Sequence, residues 1–296
     1  MRLDRLPRSG RVQDRRAHGG GLRTGARAGG LGLGTVVLLG LIGWALGINP
    51  GILMRGAETL NRSQQPAPGP VTQGAPTDQV GQLVSAVLGS TEVQWQKILA
   101  PYGKAYEPPN LVMFSGATPS ACGFAQSAMG PFYCPNDRNV YLDSSFFEDL
   151  ERRFRACDVG SKTCQFSQAY VIAHEVGHHV QNLLGILPRV QHMQRGVDQV
   201  EANQLQVRVE LQADCLAGLW AHHSQKDWAF IEQGDVEAAM QTASAIGDDR
   251  LQRQAQGYVV PDAFTHGSSQ QRIRWFMTGL KSGSIESCDT YSVAQP

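Results

Sequence analysis

Residues 171–180 read VIAHEVGHHV: three histidines and a glutamate in ten positions, set among apolar residues. Imidazole and carboxylate groups buried on such a helix cost free energy unless something pairs with them. His174 and His178 are four residues apart, so on a helix their side chains lie one above the other on one face. Two imidazoles at that spacing can grip one Zn²⁺ at about 2.0–2.1 Å each. Glu175 is turned about 100° from His174, beside rather than on the ion's open position. A carboxylate placed there can take a proton from an activated water. This is the HExxH arrangement. The competing reading is a hydrogen-bonded pair of core histidines with no ion.

A catalytic zinc needs a third protein ligand and keeps its fourth place for water. A metzincin would carry Gly and His at positions 181 and 184, but Gln181 and Leu184 stand there, which excludes that class. ELQAD, residues 210–214, supplies the alternative. Glu210 and Asp214 are again four apart, so Glu210 is the expected third ligand of a His₂Glu site. Asp214 is expected to accept the spare N–H of His174, fixing its tautomer. A solvated acidic stripe is the competing reading; Val207, Val209, Leu211, Ala213 and Leu216 argue for a buried helix instead. His179, five residues from His174, cannot share its face and is expected near the site's periphery or on the surface. His222 and His223 are expected to be solvated. Hydrolysis of a carbonyl develops an oxyanion that needs a donor. His266, in FTHGSSQQRIRWF, is the leading candidate for that catalytic role beside Glu175; Tyr141 and Arg272 are others, and His266 could equally cap the helix that follows.

The rest of the chain sets the context. It has 296 residues, 26 basic against 26 acidic, and carries no nucleic-acid footprint. Residues 1–30 hold eight arginines against two aspartates and few large apolar side chains, the composition of a disordered basic tail. LGLGTVVLLGLIGWALGIN, residues 31–49, is free of charge and long enough for a bilayer core of about 30 Å, so one transmembrane helix is expected over 31–53. The arginines ahead of it predict a cytoplasmic N-terminus and an extracytoplasmic domain. Gly30/Gly34 and Gly43/Gly47 have the spacing of a weak helix dimer within the membrane. Residues 54–77 read as a flexible linker, and 78–290 as one folded domain. Six cysteines beyond an anchor fit disulfides in an oxidising compartment. Short-range pairing gives Cys122–Cys134 and Cys157–Cys164, leaving Cys215 for Cys288.

Within the domain, periodicity predicts helices over 77–90 and 90–103, split at Ser90 or Thr91. Others are expected from Ser144 or Ser145 with Glu148 in a capping box, through 167–185, from about 198 to 223, and in the C-terminal segments GDVEAAMQTASAIGDDRLQ and SSQQRIRWFMTGL. LVMFSG (111–116) and NVYLD (139–143) read as short strands. The class is α+β, mostly helical with a small sheet.

Assembled, CGFAQSAMGPFYCPNDRNVYLD, VIAHEVGHHVQNLLG, RVELQADCLAGLWA, AIGDDRLQ and FTHGSSQQRIRWF resemble the bacterial neutral zinc metallopeptidases, single-pass membrane proteins. The resemblance spans about 115 to 280. It implies a zincin-like domain with His174, His178 and Glu210 as zinc ligands and Glu175 as catalytic base. ELQAD also looks like the Glu-x-x-x-Asp of gluzincins. THGSSQQRI is similar to the His-to-Arg-Ile segment of integral-membrane and chaperone-associated zinc proteases, with Gly267 where those carry Pro. The expected activity is endopeptidase cleavage of a peptide or protein substrate, with NVYLD as an edge strand that pairs with it. A zinc-holding scaffold of the cell envelope and a zinc amidase acting on cell-wall peptides are the alternatives.

Overall fold

Val12–Asp14, placed by composition in a disordered arm, instead forms the first strand, β1. The structure, a computed structural model, describes residues 1–16, 72–73, 76–126, 130–152 and 164–296. They belong to one compact unit built from Met1–Gly19 and Val71–Pro296; a second unit, Gly20–Pro70, lies outside the described residues. The elements that follow β1 are β2 (Thr72–Gln73), helix α1 (Gln79–Leu99), β3 (Asn110–Phe114), β4 (Ala117–Ser120), β5 (Gly123–Gln126), β6 (Phe132–Cys134) and β7 (Asn139–Asp143). The remaining helices are α2 (Ser145–Arg152), α3 (Cys164–Leu183), α4 (Ile186–Gln194), α5 (Gln199–Trp228), α6 (Asp235–Ala245), α7 (Asp248–Gln256) and α8 (Ser269–Ser282). The class is α+β, as expected.

Residues 1–16 of the basic arm are ordered because arginines among them have partners within the fold. Arg5 donates to the carbonyls of Trp228 and Ala229 at the end of α5. Arg8 donates to the Gln82 carbonyl, and Arg16 pairs with both Asp14 and Asp78. Leu6 and Val12 enter the main core. A count of arginines against apolar residues misses this, because the acceptors lie far along the chain. The linker ends in structure too, with Thr72 opposite Asp14 in an antiparallel ladder. The expected span at 31–53 and its helix dimer lie outside the described residues. Among the described residues no helix is long and apolar enough to cross a membrane.

Five strands make one sheet in the order β2-β1-β3-β7-β6. β1 and β7 run parallel to β3, and β6 runs antiparallel to β7. Side chains alternate across it. Leu111, Met113, Val140 and Leu142 face the helical core, while Val112, Phe114 and Tyr141 pack with Ala125 and Cys134 on the other side. NVYLD is therefore an interior strand; the edges are β2 and β6, and β6 is the one beside it.

α1 is one helix where two were expected. Ser90 and Thr91 do not cap; their hydroxyls bond back to the carbonyls of Val87 and Leu88, so the helix continues through them. The C-terminal GDVEAAMQTASAIGDDRLQ breaks the other way, into α6 and α7 around Ile246 and Gly247. At the start of α2, Asp143 accepts from the Ser145 N–H and hydroxyl. α4 begins directly after α3 at Gly185, whose φ of 76° turns the chain. Asp198 caps α5 by accepting the Glu201 N–H, a contact of about 0.5–2 kcal/mol.

Two close helix approaches bring the chemistry together. A Cβ on Gly177 of α3 would stand 3.0 Å from the Ala213 carbonyl of α5, so these helices touch where the polar residues face each other. On the other side of α5, a Cβ on Gly279 of α8 would lie 1.9 Å from the Cys215 carbonyl. Disulfides Cys122–Cys134 and Cys215–Cys288 form as expected. Cys164 is also disulfide-bonded; its expected partner Cys157 lies outside the described residues.

Candidate metal centre

α3 presents His174 and His178, and α5 presents Glu210, on one wall of a cleft of about 640 Å³. The Glu210 Oε2 atom lies 3.2 Å from His174 Nε2 and 3.5 Å from His178 Nε2. All three ligand atoms lie within 4.8 Å of one another. Two ligands bound tetrahedrally at about 2.0–2.1 Å from one zinc are separated by roughly 3.3 Å, a spacing that the two Glu210 distances match. Its nitrogen and oxygen donors match a catalytic zinc site, with no sulfur among them.

Each candidate ligand is held from behind. His174 Nδ1 donates to Asp214 Oδ1 at 2.8 Å, as expected from the sequence. Asp214 is fully buried and receives two further donors from Arg272, Nε at 2.8 Å and Nη2 at 2.9 Å, and the Tyr170 hydroxyl at 2.6 Å. His178 Nδ1 donates to Gln181 Oε1 at 2.8 Å, and Gln206 donates to Glu210 Oε1 at 3.0 Å. Both histidines therefore present Nε2. Burial opposes charge on His174, but the Asp214 carboxylate outweighs it and raises the imidazole to about 10. Burial likewise opposes charge on Asp214, and Arg272 with His174 holds it down to about 2. Glu210 is held well below its ordinary range against burial by His178 and His174.

Glu175 lines the same cleft. It is only 8 % exposed, and its carboxylate makes no hydrogen bond among the described residues, which leaves both oxygens for a water or substrate. His266 also lines the cleft and does not cap α8; Ser268 does, in a capping box with Gln271. Asp248 fixes the loop instead. Its Oδ2 accepts the N–H groups of Thr265, His266 and Gly267, and its Oδ1 lies 3.3 Å from His266 Nδ1. The Asp248 hydrogen bond raises the pKa of His266. With Nδ1 so engaged, Nε2 has no partner among the described residues.

The other candidates fall away. Tyr141 sits on the far face of the sheet, donating to Asp137 and stacked on Phe132. Arg272 is spent on Asp214. His179 is buried rather than peripheral. Its Nε2 donates to the Glu107 carbonyl and its Nδ1 accepts from the Tyr133 hydroxyl, while burial pushes its pKa down to about 4. His222 and His223 are half-buried and bond to the carbonyls of Leu280 and Gly283. Sequence reasoning missed Tyr170 and Asp248. Asp248 carried a signal, as an acid in the first turn of a helix directly after glycine, but its partners are seventeen and more residues away.

The sequence comparisons agree with this site. The family model described as "Putative neutral zinc metallopeptidase" matches residues 1–291. The chain belongs to that family. Uncharacterized protein YpfJ of Escherichia coli strain K12 is 44% identical over 295 residues, covering 98% of this chain and 99% of the relative. Uncharacterized protein Rv2575 of Mycobacterium tuberculosis strain H37Rv is 38% identical over 263 residues, covering 84% of this chain and 85% of the relative. No solved structure matches the chain. The family match begins at residue 1, so it includes the arm that packs into the domain.

Proposed function

We propose that the chain is a zinc-dependent endopeptidase that cleaves peptide bonds with Glu175 as general base. The observation that carries this reading is the Glu175 carboxylate, without a hydrogen-bond partner among the described residues, in the same cleft as the His174–His178–Glu210 triangle. A zinc ion held by the triangle would supply Lewis acidity toward the carbonyl and the attacking water. Glu175 takes the water's proton and passes it to the leaving amine. His266, turned by Asp248 so that Nε2 is free, donates to the developing oxyanion. β6, an edge strand, lines the cleft with Phe132 and Tyr133 and offers its outer backbone edge to an extended substrate. A pure zinc-holding scaffold leaves Glu175 without a use.

The test is hydrolysis of a peptide library by the purified, zinc-loaded protein. Glu175→Gln keeps the metal and loses turnover, and His266→Ala lowers kcat by about 10²–10³ with the metal retained. A Glu175→Gln protein that cleaves at the wild-type rate removes Glu175 from the mechanism.

The localisation belongs to the same reading. The disulfides favour an oxidising compartment outside the cytoplasm. Because β1 is laddered to β3, residues 1–16 accompany the domain to that side. Impermeant thiol reagent on intact cells is expected to label Asp4→Cys. Labelling only after lysis would place the arm in the cytoplasm and contradict this topology.

A further inference from the structure

We infer that Gln181 and Gln206 are positioning residues that decide which atom His178 and Glu210 present to the metal, the first fixed in orientation by a backbone carbonyl and the second through Gln194, which is itself fixed by one. An imidazole can bind an ion through either nitrogen, and a carboxylate through either or both oxygens, so a defined site must remove these choices. On the His174 side a buried carboxylate, Asp214, does so. His178 and Glu210 have no charged group in that position; each has an amide.

A side-chain amide is ambiguous by itself, because its oxygen and nitrogen can exchange places. Here the surroundings remove the ambiguity. Gln181 Nε2 donates to the Val209 carbonyl at 2.8 Å and to Gln212 Oε1 at 3.0 Å. Gln212 Nε2 in turn donates to the Cys288 carbonyl at 3.0 Å. Carbonyls only accept, so both amides have a single orientation that satisfies every partner. Gln181 must then offer its oxygen to His178, which puts the proton on Nδ1 and the lone pair on Nε2. The same logic runs along the second chain. Gln194 Nε2 donates to the Ala202 carbonyl at 3.1 Å and to Gln206 Oε1 at 3.3 Å. Gln206 must therefore offer its N–H to Glu210 Oε1, leaving Oε2, the oxygen that faces both imidazoles, for the ion. The first chain ends on Cys288, which the disulfide to Cys215 fastens to α5. The residue at 181, which excludes a metzincin, has this different use.

The inference rests on His174, His178 and Glu210 being the ligand set, and the test separates the two. Zinc affinity is measured by chelator competition on the wild-type protein and on Gln181→Met, Gln206→Met and Gln212→Met, with the melting temperature of each metal-free protein alongside. Gln206 is half-buried, so its variant folds even if the one at buried Gln181 does not. The expected result is a fall in affinity of about 10–100-fold for Gln181→Met and Gln206→Met. A smaller fall is expected for Gln212→Met, which touches neither ligand. In zinc-loaded wild-type protein, nitrogen-15 spectra are expected to show His178 protonated at Nδ1; in Gln181→Met that proton exchanges faster with water. Folded variants that bind zinc within twofold of wild type, whatever their melting temperatures, overturn the inference alone. A wild-type protein that binds no zinc overturns the ligand set and the inference together.

Discussion

At the residue scale the centre is a set of side chains whose charges compensate one another. In the metal-free protein His174, raised to about 10 by Asp214 against its own burial, holds both protons at neutral pH. Its Nε2 then donates to Glu210 at 3.2 Å. Ligation through Nε2 requires that proton to leave, so zinc binding at pH 7.5 is expected to release at least about one proton. Affinity should rise with pH until about 10, where His174 loses the proton unaided. Calorimetry in two buffers of different ionisation enthalpy counts the release; a count of zero at pH 7.5 contradicts the assignment. His174, Glu175, His178, Glu210 and Asp214 were all legible in the sequence, because helical spacing of four fixes a shared face. Arg272 was legible as a residue but not in its role. Its partner Asp214 lies 58 positions away, and only the packing of α8 on α5 makes it a holder of that carboxylate rather than an oxyanion donor.

At the scale of elements, the site depends on how closely three helices approach. α3 reaches α5 at Gly177, and α8 reaches α5 at Gly218 and Gly279, so Arg272 arrives beneath Asp214 from the opposite side to His174. Adding a methyl group at Gly279 forces backbone apart, since the new Cβ would meet the Cys215 carbonyl at 1.9 Å. Gly279→Ala is expected to cost about 1–3 kcal/mol or more in a denaturant melt. It should also weaken zinc binding, because Arg272 moves with α8 and releases Asp214. Unchanged stability would show that α8 does not seat as described. The helices themselves were largely legible from their periodicity and caps, and β3 and β7 from their apolar runs. What misled was punctuation: Ser90 and Thr91 satisfy themselves within α1, whereas Ile246–Gly247 divides a segment that reads as continuous.

At the scale of the molecule, the chain folds around its own N-terminal arm. β1 sits inside the sheet between β2 and β3, and the arm's arginines close the end of α5 and pair with Asp78. Composition could not show this, because charge counts carry no information on distant acceptors. The match of one family model to residues 1–291 treats arm and domain as one unit, as the sheet does. The cleft opens between α3, α4, α5 and the β6 edge. The most direct test of the account is zinc X-ray absorption on the purified full-length protein. We expect about one zinc per chain with only nitrogen and oxygen neighbours at about 2.0–2.1 Å, including the scattering pattern of two imidazoles, and loss of one light-atom neighbour in Glu210→Ala. A sulfur shell at about 2.3 Å, or a spectrum unchanged by Glu210→Ala, would contradict it.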